Sequence, residues 1–294
     1  YLSTYPNMKK QVKRYSIKCG LRNLSFREES RLWGYFRKKC PFEKEWDKLE
    51  RKESVFLKGR QEKKDTLLNQ KLAEKVPEKL QHTLDIAFAK AFMLIFEKGT
   101  AAIEKTYKKE DLEKAYKVNQ YADEVRQNRS SLRAFSRKAD FVGAKNLVIS
   151  GVSGIGLGAL GIGLPDIPLF TGLILKNIYE TAISYGYDYD SEEERYFILL
   201  LIQGAVSYGE MMYELDCRVN AYIEKEQLPE DYSREMEIEE TAGLLSKELL
   251  YMKFLQGIPI VGVVGGAYDV VYMKRISSYA NLKYWRRFLT RKIN

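Results

Sequence analysis

The sequence predicts an all-α fold: a single helical domain with two glycine-rich apolar helical segments and basic amphipathic termini. Three observations predict it. Apolar residues recur at spacings of three and four through most of the 294-residue chain, the period of one helix face. No series of short alternating strands interrupts them. With 45% hydrophobic and 30% charged residues and only seven prolines, the chain can bury a core and has few irregular stretches.

The elements follow in order. Phe26 to Arg60 reads as helix anchored by Trp33, Phe36, Phe42 and Trp46, with Pro41 as a break. Leu67 to Lys79 is polar and helical, with a boundary at Pro77. Leu80 to Lys98 is a strong amphipathic helix through Leu84, Ala87, Phe88, Ala91, Phe92 and Ile95, with Gly99 as its stop. Leu112 to Lys138 reads as one more polar helix. Val142 to Ile183 is apolar and glycine-rich, and YGYDYD (185–190) is a turn. Ser191 and Glu194 form a capping box that opens a long helix running towards Ile223. Pro229 and Asp231 mark a loop, and Glu235 to Leu255 is helical. Gly257-Ile258-Pro259 breaks that helix, and Pro259 can open the next. The last helix carries Tyr272, Ile276, Tyr279, Leu282, Trp285 and Leu289 on one face.

Charge and cysteine usage narrow the function classes. The net charge of +9 favours an anionic partner. Lys9 to Arg27 and Lys274 to Lys292 each hold seven basic residues and no acid, so the basic character belongs to the two ends. Three cysteines, Cys19, Cys40 and Cys217, make no CxxC spacing, and a reduced cytoplasmic setting is expected. The single histidine, His82, leaves out the common zinc and Ser-His-Asp arrangements, and no metal or cofactor is expected. The N-terminal stretch lacks an apolar core of a secretory signal. Met8-Lys9-Lys10 looks like a natural start, so nothing is rested on residues 1–7.

SGVSGIGLGALGIGLPDIP (150–168) is the most unusual stretch. It contains a GxGxxG match at Gly156, Gly158 and Gly161, but PDIP follows where a dinucleotide fold needs a crossover helix. Leu147 to Leu164 is eighteen residues without a charge, the lower edge of membrane-spanning length, and eight of them are Gly or Ser. With the uncharged Phe254 to Tyr268 it could form a membrane hairpin. The favoured reading is close helix packing. Gly154 with Gly158, and Gly262 with Gly266, are small-xxx-small pairs that let another helix or a lipid chain approach the backbone. Each glycine costs about 1 kcal/mol against alanine inside a helix, so the run gives up helix stability for contact or mobility.

The acids beside these runs admit two readings. Asp166, Asp188 and Asp269 each adjoin an apolar segment and could converge as the acid and base of a hydrolase. Helix capping explains Asp166 and Asp188 more simply; Asp269 lies inside a helix and needs a partner such as Lys176 or Tyr185 if buried.

The chain resembles the EcsC family of bacterial proteins. The matching stretches are KAFMLIFEKGTAAIEKTY (90–107), GIGLPDIPLF (161–170), ILKNIYETAISYGYDYDSEEERYFIL (174–199) and GIPIVGVVGGAYDVVYMKRISSYANLKYWRRFL (257–289). The resemblance covers about 70–290 and implies a largely helical cytoplasmic protein working at or near the membrane, with a link to an ABC transporter or a secretion process, and a Gram-positive source.

The functional expectation combines both lines. It is a non-enzymatic, peripheral protein at the inner face of the plasma membrane that binds an anionic lipid or fatty acid. The apolar cleft would be built by Gly154, Gly158, Gly161, Pro165, Asp166 and Pro168, with Tyr185, Pro259, Gly262, Gly266 and Asp269. Headgroups would meet Lys274, Arg275, Lys283, Trp285, Arg286 and Arg287. The alternatives are a lipid or peptide hydrolase using Asp166, Asp188 and Asp269, and an adaptor for a membrane transporter. No nucleic-acid motif accompanies the basic clusters. The expected division is a basic extension over residues 1–65 and a helical domain over 66–294.

Overall fold

A computed structural model describes residues 39–61, 78–158, 166–256 and 265–293, without the side chains of 80, 147–166 and 249–270. All regular structure among the described residues is helical. The expected helices at 26–38 and 67–77 and the break at 257–264 lie outside them.

Helix α1 is Pro41–Lys58. The helix starts at Pro41, which takes the first helical position, and Cys40 Sγ accepts from the Glu43 amide. Helix α2, Glu78–Leu94, buries Leu84, Phe88, Ala91 and Phe92 as their spacing requires. Gly99 does not stop the chain. It closes a π-helical turn, Ile95–Gly99, that leads straight into α3, Thr100–Glu104.

The polar helix expected over 112–138 is two helices. Gln127 adopts a left-handed conformation (φ 44°) and parts α4, Lys109–Arg126, from α5, Arg129–Gly158. Asn128 Oδ1 then caps the new start by accepting from the Ser130 and Ser131 amides. Helix α6 is Asp166–Ser184. In the following turn Gly186 has φ 77°, and a β-carbon there would collide with the Tyr116 ring.

Ser191 caps α7, Glu192–Val206, through the Glu194 amide. The long helix expected to Ile223 breaks at Ser207, and Gly209 (φ 59°) opens α8, Gly209–Lys225. Helices α9, Arg234–Gln256, and α10, Gly265–Ile293, complete the chain. Phe197 to Ile202 are all 0% exposed, so α7 is apolar on every side and lies inside the bundle. Each such side chain contributes roughly 1.5–3 kcal/mol on burial.

Helix α10 is the axis. It packs on α1, α5, α6, α7 and α8, and every residue from Lys283 to Thr290 is buried. Phe135, Asp140 and Gly143 of α5 meet Phe288, Asn281 and Ser277 of α10, so these helices run antiparallel. Glu248 accepts from the Tyr272 hydroxyl at 2.8 Å and sets α9 antiparallel to α10. Asn146 donates to Glu180 across the α5–α6 hairpin.

Helix α1 belongs to this core rather than to an extension ending at residue 65. Its Glu53 is bound to Lys283 and Arg286, and Phe42, Trp46, Leu49 and Leu57 are buried. The helical domain therefore includes Pro41 onwards.

Candidate functional site

The antiparallel pairing of α5 and α10 brings four helix ends together. The C-terminal ends of α5 and α9 and the N-terminal ends of α6 and α10 lie at one end of the bundle. Gly154 and Gly158 are in the last turns of α5, and Gly266 is in the first turn of α10. Gly143 fixes their register: a β-carbon there would come within 2.5 Å of Ser277 Oγ. Three helical turns on from Gly143 is Gly154, and three turns back from Ser277 is Gly266. Both positions therefore lie at the same end of the antiparallel pair. Gly161, Pro165, Pro259 and Gly262 lie outside the described residues. Pro168 is exposed in the first turn of α6, and Leu169 beside it is 47% exposed.

Below this end, three exposed lysines stand at one level. Lys145 follows Gly143 by two residues, Lys274 precedes Ser277 by three, and Lys247 adjoins Glu248, the partner of Tyr272. None of the three has an ion-pair partner among the described residues. The uncharged stretch 147–164 begins two residues beyond Lys145.

A family model described as the EcsC protein family matches residues 43–289, most of the chain from α1 to the last turns of α10. The chain belongs to the EcsC protein family. No curated protein and no solved structure matches it.

The basic end of this EcsC chain corrects the sequence reading. Lys283 is 0% exposed, Trp285 6%, Arg286 9% and Arg287 7%, so these four face the interior and not a headgroup layer. Lys283 Nζ lies 2.7 Å from Asp216 Oδ1 and donates to Glu53 and Asn220 at 3.1 and 3.0 Å. Arg286 binds Glu53 through Nε at 2.8 Å and again through Nη2. Arg287 donates to Glu194 and Glu226, both at 2.6 Å. Burial opposes ionisation of Glu53, but Lys283 and Arg286 outweigh it and hold its carboxyl down at about 2. Only Lys274, exposed, and Arg275, half-buried against the Tyr208 and Tyr272 rings, remain near the surface.

Tyr185 is corrected as well. It is fully buried at the far end of α6, where its hydroxyl donates to Asn281 Oδ1 at 2.5 Å and its ring meets Trp285 and Phe288. Asp188 is exposed in the same turn. Helix α6 separates it from Asp166 by roughly 27 Å at 1.5 Å per residue, so these two carboxylates do not share a pocket. The side chains of Asp166 and Asp269 lie outside the described residues. Among the described residues, no group of three His, Cys, Asp or Glu side chains is arranged to hold a metal ion.

Sequence reasoning missed a polar row on α6. Glu180 is 3% exposed and accepts from Asn146, and Lys176, 7% exposed, donates to the Thr106 carbonyl at 3.4 Å. The signal was present: Lys176, Asn177, Glu180 and Ser184 recur at helical spacing in an otherwise apolar helix.

Proposed function

We propose that this EcsC-family chain is a non-enzymatic peripheral membrane protein that sets its glycine-rich end against an anionic lipid surface and accepts an acyl chain between its two hairpins. One observation carries the reading. Antiparallel α5 and α10 carry the described parts of the two glycine-rich runs, 147–158 and 265–268, towards one end, on the side where Lys145 and Lys274 are exposed and Lys247 adjoins Glu248. Apolar surface beyond a ring of lysines matches the layering of a bilayer, with hydrocarbon beyond phosphate. Each lysine near an anionic leaflet contributes about 1 kcal/mol. Glycines on α5 and α10 would let a lipid chain touch helix backbone without side-chain bulk between. Among the described residues no helix is long and apolar enough to cross a membrane, in keeping with peripheral contact. Anionic lipid enriched in the cytoplasmic leaflet makes that face the proposed location.

The test is flotation of the full chain with phosphatidylcholine vesicles, with and without phosphatidylglycerol. Binding is expected to the anionic vesicles only and to weaken as salt rises. Converting Lys145, Lys247 and Lys274 to glutamate should weaken it by at least roughly a hundredfold. Equal recovery with both vesicle types would defeat the headgroup role, and recovery with neither would defeat the lipid reading. Mass spectrometry of lipid carried through purification tests the acyl-chain part: a protein that never carries or takes up fatty acid or phospholipid overturns it.

A further inference from the structure

Two arginines approach each other below the glycine-rich end with no acid between them. Helix α1 runs antiparallel to α10: Glu53 binds Lys283 and Arg286, and the Phe56 ring stacks on Tyr279 at 5.0 Å. Arg60, just past the end of α1, therefore comes level with Arg275, the residue after Lys274. Both side chains reach the link between α7 and α8. Arg60 Nη1 donates to the Ala205 carbonyl at 2.9 Å, and Arg275 Nη1 donates to the Tyr208 hydroxyl.

Both guanidiniums are held by rings. Arg60 lies 3.8 Å over Phe56, and Arg275 lies over Tyr208 and Tyr272 at 5.0 and 4.7 Å. Both residues are half-buried, and neither has an ion-pair partner among the described residues. Glu248 accepts from the Tyr272 hydroxyl and makes no ion pair with Arg275. Burial, and then the Arg275 guanidinium, hold Arg60 down at about 10; the next influences are the Tyr208, Tyr279 and Tyr272 hydroxyls rather than a carboxylate. The carbonyl end of α7 suits one cation, which accounts for Arg60 but leaves a second like charge beside it. A guanidinium carries five N–H donors. Each of these two spends one in a hydrogen bond among the described residues, and none of their other nitrogens is sealed from solvent.

We propose that Arg60 and Arg275 together clamp one phosphate group. Guanidinium forks match phosphate oxygens in pairs, and forks already held by aromatic rings lose little freedom on binding. The phosphate group is common to lipid headgroups and to phosphate free in solution. Its assignment to a lipid rests on the membrane reading above: Arg275 adjoins Lys274, so the clamp sits at the height of the lysines that would meet headgroups. It adds a site for a single headgroup to a diffuse lysine contact.

The full chain is titrated by calorimetry with inorganic phosphate and with dihexanoyl phosphatidylglycerol below its micelle concentration, against chloride at matched ionic strength. The parent should bind, and Arg275→Lys and Arg60→Lys should bind roughly tenfold more weakly, because lysine keeps the charge and loses the fork. Arg275→Lys gives up one bond to a hydroxyl and should melt with the parent; if Arg60→Lys melts early through its Ala205 contact, Arg275→Lys alone decides. No phosphate-specific heat with either probe overturns the proposal, and so does unchanged affinity in Arg275→Lys. Tighter binding of the lipid than of inorganic phosphate assigns the group to a headgroup; equal or weaker binding assigns it to phosphate free in solution. Flotation separates the two readings. A parent that binds phosphate but not vesicles defeats the membrane reading and leaves the clamp. A parent that floats but binds neither probe defeats the clamp and leaves the lysines.

Discussion

Gly143 of α5 rests against Ser277 of α10 with no room for a β-carbon between them. It is a close approach between the two hairpins that carry the glycine-rich runs. Gly143→Leu is expected to destabilise the fold by about 1–3 kcal/mol through overpacking. Urea denaturation followed by circular dichroism checks it, and adding Ser277→Gly should recover part of the loss. A Gly143→Leu chain as stable as the parent would show that the two helices are free to separate here.

The charges of α10 hold the interior together. Glu53→Gln leaves Lys283 and Arg286 buried with one carboxylate fewer and should cost about 3–5 kcal/mol. Arg287→Glu, placed against Glu194, should prevent folding altogether. Thermal melts of the two variants decide. If Arg287→Glu folds normally but no longer floats with anionic vesicles, Arg287 faces solvent after all.

Acid should act through the same pair. The Glu53 carboxyl lies at about 2 against an ordinary value of 4.5, so the folded state favours its charged form. Its contribution is complete above the unfolded value and is lost as pH falls from about 4.5 towards 2. The full shift corresponds to roughly 3 kcal/mol. The urea midpoint of the parent should therefore drop across this interval, and the drop should be smaller in Glu53→Gln.

Gly186 offers a backbone test. Its φ of 77° is unfavourable for a side chain, and the Tyr116 ring occupies the β-carbon position. Gly186→Ala is expected to lose at least about 1–2 kcal/mol from the left-handed backbone alone. Combining it with Tyr116→Ala removes the clash but not the backbone cost, so a double-mutant cycle separates the two.

Periodicity made the fold class legible because it is local. The stripe on α2 is buried as its spacing demands, and Ser191 caps α7 through Glu194 as the capping box implies. The carboxylate of Glu194 was not legible. It accepts from Tyr284 and Arg287, some ninety residues away, instead of turning back to its own helix. The last helix misled for the same reason. Its apolar face is buried as read, but Lys283, Arg286 and Arg287 are buried too, neutralised by Glu53, Asp216 and Glu194 from three other helices. A sequence window with seven basic residues and no acid cannot show acids that lie 233 positions earlier. The break at Gln127 was hidden because no glycine or proline marks it; only the capping Asn128 beside it does. At the glycine-rich end, the small-residue spacing was legible, while its lysine ring depends on three helices reaching the same height.

Helix α10 follows α1 to α9 in the chain. Helices α1 to α9 leave the ribosome before residues 265–293, and until then Glu53, Glu194 and Asp216 have no cations to meet. Burying those carboxylates unpaired is costly, so the earlier helices cannot close on one another ahead of α10. The bundle closes around its centre only once residues 265–293 have been made, and a message cut short before that helix yields a shell with acidic walls and no axis.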